Sequence, residues 1–134
     1  MKHAVAIELI HNGQSEQMTV CAQGEYFEVA PLGYLRYEEQ DPQSGATMTT
    51  IRLLPDELRI QRRGAIESNL TLRTADRTAV HYRIGGLTVQ LTAYTKQLDF
   101  RWSGCEGNIK CLYELWQDEE QVDTIRLQLN VRLI

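Results

Sequence analysis

Ile125-Arg126-Leu127-Gln128-Leu129-Asn130-Val131-Arg132-Leu133 alternates apolar and polar side chains without a break. A period of two belongs to a β-strand with one buried face, because successive side chains leave a pleated strand on opposite sides. The polar parity is arginine, glutamine and asparagine. It reads as a water-facing surface, and no membrane partner is expected.

Working outward, the same period recurs at 3–11, 16–29, 34–40, 46–54, 57–63, 67–74, 77–84, 87–93, 97–103, 108–117 and 121–133. Turn chemistry separates the segments: Asn12-Gly13, Asp41-Pro42-Gln43-Ser44-Gly45, Pro55-Asp56, Gly64-Ala65, Ala75-Asp76, Gly85-Gly86, Gly104 to Gly107 and Asp118-Glu119-Glu120. No stretch sustains a helical stripe, and only 118–123 has room for one helical turn. Short links between so many strands imply an antiparallel meander, and closing the sheet removes the edges that an open one would expose. The expected fold is all-β, a single antiparallel meander closed into a barrel of about 8–10 strands. The chain of 134 residues is the size of one domain, 1–134, that can bury a core without metals or crosslinks.

The N-terminus reaches Glu8 before a signal-peptide apolar core is complete, so a cytoplasmic location is expected. Cys21, Cys105 and Cys111 form no Cys-x-x-Cys pair and no zinc-spaced cluster, and His3, His11 and His81 are scattered. Reduced thiols, no metal and no cofactor are the expectation. Paired carboxylates Glu38 and Glu39 point to opposite faces, so they make no acid–base couple, and no nucleophile setting or phosphate loop is legible. An enzyme ranks below the other readings.

Net charge is -4, but it is unevenly placed. Residues 1–51 carry 2 basic and 7 acidic side chains, 52–83 carry 7 and 4, and 84–134 carry 5 and 7. Arginine supplies 11 of the 14 basic residues, which favours fixed, bidentate pairing over loosely solvated charge.

The stretches Gly24-Glu25-Tyr26, Tyr34-Leu35-Arg36-Tyr37-Glu38-Glu39, Thr50-Ile51, Leu58-Arg59-Ile60-Gln61-Arg62-Arg63-Gly64-Ala65 and Tyr82-x-x-Gly85-Gly86-Leu87 resemble the YwiB-like domain of unknown function over residues 3–134. That resemblance implies a small bacterial protein with a calycin-like, lipocalin-like barrel and supplies no activity. Calycin barrels often begin Gly-x-Trp, where this chain has Gly24-Glu25-Tyr26.

Hairpin lengths fix a register. They set Glu39 opposite Thr47, Tyr37 opposite Thr49, Thr49 opposite Arg62, Arg62 opposite Ser68, Ser68 opposite Tyr82, Tyr82 opposite Val89 and Val89 opposite Trp102. A polar, aromatic collar of Arg62, Glu39, Tyr37, Thr49, Tyr82 and Trp102 over rows of Leu, Ile and Val is the expected ligand site at a barrel mouth. A satisfied Arg62–Glu39 pair that simply plugs the end is the stronger of the two readings of this collar, since buried charges are normally paired. The opposite parity carries Arg59, Arg63, Arg73, Arg83 and His81 to the outer surface as a basic patch, with Glu57, Glu67 and Asp76 as candidate partners. The aromatic interleaving of a nucleic-acid platform is missing there, which argues against a nucleic-acid partner. Cys111 shares the inward parity of Ile109 and Tyr113 and reads as an inert core thiol. Trp116 lies on an outward parity, so a partner surface or homodimer is one reading and cover by the N-terminal strand another.

Two functions follow. The first is a non-enzymatic module that binds a small, partly apolar ligand in the barrel mouth, with Arg62 reading an anionic or carbonyl group. The alternative is an interaction protein with a filled barrel that contacts a protein or RNA through the outer basic patch. Bulky side chains filling the lumen would favour the second.

Overall fold

A computed structural model describes residues 2–14, 16–41 and 45–134. Ten strands succeed one another: β1 (Lys2–Asn12), β2 (Gln17–Phe27), β3 (Gly33–Asp41), β4 (Gly45–Leu54), β5 (Glu57–Gly64), β6 (Ile66–Arg73), β7 (Arg77–Ile84), β8 (Leu87–Ser103), β9 (Glu106–Gln117) and β10 (Glu120–Leu133). Each pairs antiparallel with its neighbours in sequence, and β1 pairs with β10, from Val5 opposite Leu133 to Asn12 opposite Arg126. The sheet is a closed barrel, as the alternation requires. No helix occurs among the described residues; 118–123 forms the β9–β10 hairpin. No helix is long and apolar enough to cross a membrane.

The inward parity is the apolar one. Val5, Ile7 and Leu9 of β1, Ile51 and Leu53 of β4, Leu58 and Ile60 of β5, Leu72, Val80 and Ile109 are buried, as are Ile125, Leu127, Leu129 and Val131 of β10. Each fully buried Leu or Ile contributes about 2 kcal/mol from apolar surface removed from water, so these rows account for most of the packing energy. On the other parity Arg59, Arg63, Arg73 and Arg83 are exposed. The expected turn at 41–45 lies outside the described residues at 42–44, but the pairing on either side of it, Tyr37 opposite Thr49 and Glu39 opposite Thr47, is the one its length dictates.

The structure corrects one connection. Residues 87–93 and 97–103 are not two strands joined by a hairpin; they are halves of β8, 17 residues long. A bulge between Thr95 and Gln97 lets the extra residue, Lys96, project to solvent. The bulge moves the inward parity from Val89, Leu91, Ala93 and Thr95 to Leu98, Phe100 and Trp102. The reason is local: Ala93-Tyr94-Thr95-Lys96-Gln97 holds none of the residues that reverse a strand, and one surplus residue is absorbed without a reversal.

Trp102 therefore stands opposite Gly107 and not Val89, at the far end of the barrel from Arg62. There its ring centroid lies 5.7 Å from that of Tyr26 and its Nε1 donates to Gly104 O at 2.9 Å. Tyr26, 1% exposed, donates its hydroxyl to Leu32 O at 2.7 Å. This pair closes the end of the barrel away from Arg62.

The wall has one weak seam. β2 and β3 pair only through Glu25, Tyr26 and Phe27 against Arg36, Leu35 and Tyr34. At Gly24 the backbones come so close that a Cβ would lie 2.6 Å from Arg36 O and 2.9 Å from Tyr37 Cβ. Beyond that contact no ladder joins β2 to β3 among the described residues. Met18, Val20 and Ala22 face the lumen opposite His11, Leu9 and Ile7, yet they are only half-buried because nothing is paired beside them.

Candidate functional site

Hairpin tips after β1, β3, β5, β7 and β9 define the mouth. Across it Tyr37, Thr49, Arg62, Ser68, Tyr82 and Val89 stand in successive pairs on β3 to β8, as the turn lengths set them. Of the six expected collar residues, five are brought together and Trp102 is not. Leu58 and Ile60 face the core, so strand alternation carries Arg62 inward as well.

Arg62 Nη2 lies 3.6 Å from Glu39 Oε1, and each of these side chains is 16% exposed. Thr49, fully buried, donates its hydroxyl to the same Glu39 oxygen at 3.1 Å. The pair leaves several polar atoms unanswered. Arg62 Nε, Tyr37 Oη, His11 Nδ1 and Thr95 Oγ1 are all buried without a hydrogen-bond partner. Glu39 and Thr49 are near enough to act on the Tyr37 phenol, but neither stands in hydrogen-bonding geometry to it. Burial holds the Tyr37 hydroxyl far above the ordinary range of a phenol, with Glu39 adding to the effect, so it keeps its proton and is a donor. Burial does the same to Tyr113, opposite Thr95.

His11 closes the constellation from β1. It continues the inward series Val5, Ile7 and Leu9, and this is the signal in the sequence that would have found it. Burial lowers its pKa, Arg62 lowers it further, and Glu16 and Asp123 oppose them. Asp123 itself accepts hydrogen bonds from the backbone N–H groups of Gln14 and Thr124, at 2.7 and 2.8 Å. The linkage has a definite sign. The unfolded chain takes up a proton near pH 6.5 while the folded one resists it, so the unfolded state binds more protons just below that value. Stability is therefore expected to hold above pH 6.5 and to fall as the pH drops through it, levelling off once folded His11 protonates. Denaturation midpoints from pH 5 to pH 8 check this, and His11→Gln should flatten the curve in that window.

The outer arginines are mostly paired. Glu57 sits between Arg59 and Arg73, Arg73 also holds Asp76 at 3.0 Å, and Arg83 holds Glu67 at 2.7 Å. Burial works to raise the Glu57 pKa, but hydrogen bonds and charge from Arg73 and Arg59 outweigh it and keep the carboxyl below its usual range. Arg63 and Arg83 line an open surface concavity of about 520 Å³ with His81, Asn69 and Thr88. Trp116 is covered by Arg77 of β7, not by the N-terminal strand; the guanidinium carbon lies 5.8 Å from its ring and 5.0 Å from that of Tyr94. The Cys111 thiol is pushed up to about 12 by burial, as an inert core thiol should be. Among the described residues no group of three His, Cys, Asp or Glu side chains is placed to hold a metal.

These elements define a closed up-and-down antiparallel barrel with a polar mouth over a packed apolar body. The chain belongs to the family described as domain of unknown function DUF1934, whose sequence profile matches residues 5–129. It is similar to the crystal structure of the ywiB protein from Bacillus subtilis, with a TM-score of 0.79 and 18% identity over 99% of this chain and 92% of that one. The expected YwiB-like resemblance is thereby shown for the chain as a whole, and at this identity the structural likeness speaks for the fold alone. No protein with a curated function matches the chain.

Proposed function

We propose that this chain is a non-enzymatic binding module that takes a small, partly apolar ligand in the barrel mouth at Arg62. The observation that supports it is the grouping of Arg62 Nε, Tyr37 Oη and His11 Nδ1, buried and without partners, around an ion pair that does not use them. A buried polar atom without a partner costs about 1–3 kcal/mol, and folded proteins seldom leave several in one place unless something else meets them. The alternative, a macromolecular contact through the outer arginines, draws less support because Arg59, Arg73 and Arg83 already have carboxylate partners.

Native mass spectrometry of protein purified gently from its own host tests the proposal. A retained small molecule, lost in Arg62→Leu and in Tyr37→Phe, is the expected result. Protein of bare chain mass, with no small molecule retained on the unsubstituted chain, counts against it. Tyr37→Phe carries a second signature. In ligand-free protein it removes a desolvated hydroxyl and should raise stability by about 1 kcal/mol, as measured by urea unfolding. A loss of stability would mean that the hydroxyl already has a structural partner.

A further inference from the structure

We infer that the mouth selects a neutral amphiphile, one whose uncharged carbonyl or amide head lies against Arg62 and Tyr37 and whose short alkyl part lies along Met18, Val20 and Ala22 in the seam between β2 and β3. This rests on the binding proposal above and specifies its ligand.

Charge decides the head group. Arg62 is the one guanidinium of the collar, and Glu39 already faces it at 3.6 Å with Thr49 holding the same carboxylate oxygen. Glu16 and Asp123 add negative charge from the start of β2 and from β10, and both act on His11. An anionic ligand would enter a mouth where three carboxylates face one cation, in surroundings that screen poorly. Two of the free groups beside the ion pair are donors: Arg62 Nε–H has no other role, and Tyr37 is 2% exposed with a protonated, unpartnered hydroxyl; the third, His11 Nδ1, donates or accepts according to its tautomer. An ammonium head offers them no acceptor. A carbonyl oxygen meets both donors and adds no charge.

Packing decides the tail. Below the collar Leu35, Ile51, Leu53, Leu58 and Leu72 are completely buried, and Tyr26 with Trp102 closes the far end, so a chain cannot run down the axis. Apolar surface is left open toward the seam, where the wall itself lacks a ladder, and to a similar degree at Leu70, Val89 and Leu91 on β6 and β8. Met18, Val20 and Ala22 face inward, opposite His11, Leu9 and Ile7, but remain half-buried where β3 does not pair with β2.

Three probes with the same six-carbon chain separate the possibilities: hexanamide, hexanoate and hexylammonium, each titrated into isotope-labelled protein while the Met18 methyl and Arg62 Nε–H resonances are followed. Hexanamide is expected to shift both saturably, with hexanoate and hexylammonium at least about tenfold weaker. In Glu39→Gln, which frees the guanidinium, the order of hexanamide and hexanoate is expected to reverse. Hexanoate or hexylammonium binding as tightly as hexanamide in the unsubstituted protein overturns the neutral head while leaving the mouth as a binding site. Failure of all three to move either resonance overturns the site itself.

Discussion

Valine in place of Gly24 is expected to lower the unfolding free energy by about 3 kcal/mol, the upper part of the range for forcing side-chain volume into a packed site. The contact leaves no room to adjust. A Cβ would meet Arg36 O at 2.6 Å, Ile7 Cδ1 at 2.8 Å and Tyr37 Cβ at 2.9 Å, so backbone on one side and core on two others must all move. The damage should concentrate in the wall as well as the total. β2 and β3 hold each other through three residue pairs, and hydrogen exchange at Glu25 to Phe27 should accelerate more than exchange in β9. Uniform acceleration across the barrel would mean that the seam is no weaker than the rest.

Arg62→Leu in ligand-free protein is expected to cost about 2 kcal/mol, below the usual range for breaking a buried pair because both partners keep some contact with water. The cost comes from Glu39, left inside the mouth with the Thr49 hydroxyl as its donor among the described residues. Adding Glu39→Leu should recover most of the loss, because two apolar side chains then replace two charges. Chemical denaturation of the two single variants and the double variant gives the coupling directly. A double variant whose loss is the simple sum of the two single losses would show that the pair contributes nothing to the fold.

Much of this was legible in the residues. Pro55-Asp56 and Gly85-Gly86 are two-residue links that leave one register, setting Thr49 opposite Arg62 and Tyr82 opposite Val89, and the short turns at Gly64-Ala65 and Ala75-Asp76 carry the row on through Ser68. Trp102 went astray because its place depends on what happens at Ala93 to Gln97. No turn-forming residue stands there, so the chain runs on through the bulge at Lys96, and Trp102 keeps its inward face but comes to the opposite end of the barrel. His11 carries no metal-ligand signal in its spacing, yet its parity with Leu9 turns it inward and is the legible sign of its place at the mouth. The seam was not legible. The β2–β3 connection has no fixed turn type, and sequence alone does not show where two strands stop pairing. Three orphaned atoms around an ion pair are likewise a matter of ångströms, beyond the reach of a register.

Nine of the ten ladders join strands that are neighbours in the chain; the tenth joins the first to the last. A ribosome makes these in order, so each hairpin has its partner within moments of synthesis, while β1 carries an open edge along Val5, Ile7 and Leu9 until residues 120–133 have been made. Every emerging copy therefore passes through a stage as an unsealed sheet, and neighbouring chains on one messenger are then the nearest competitors for that edge.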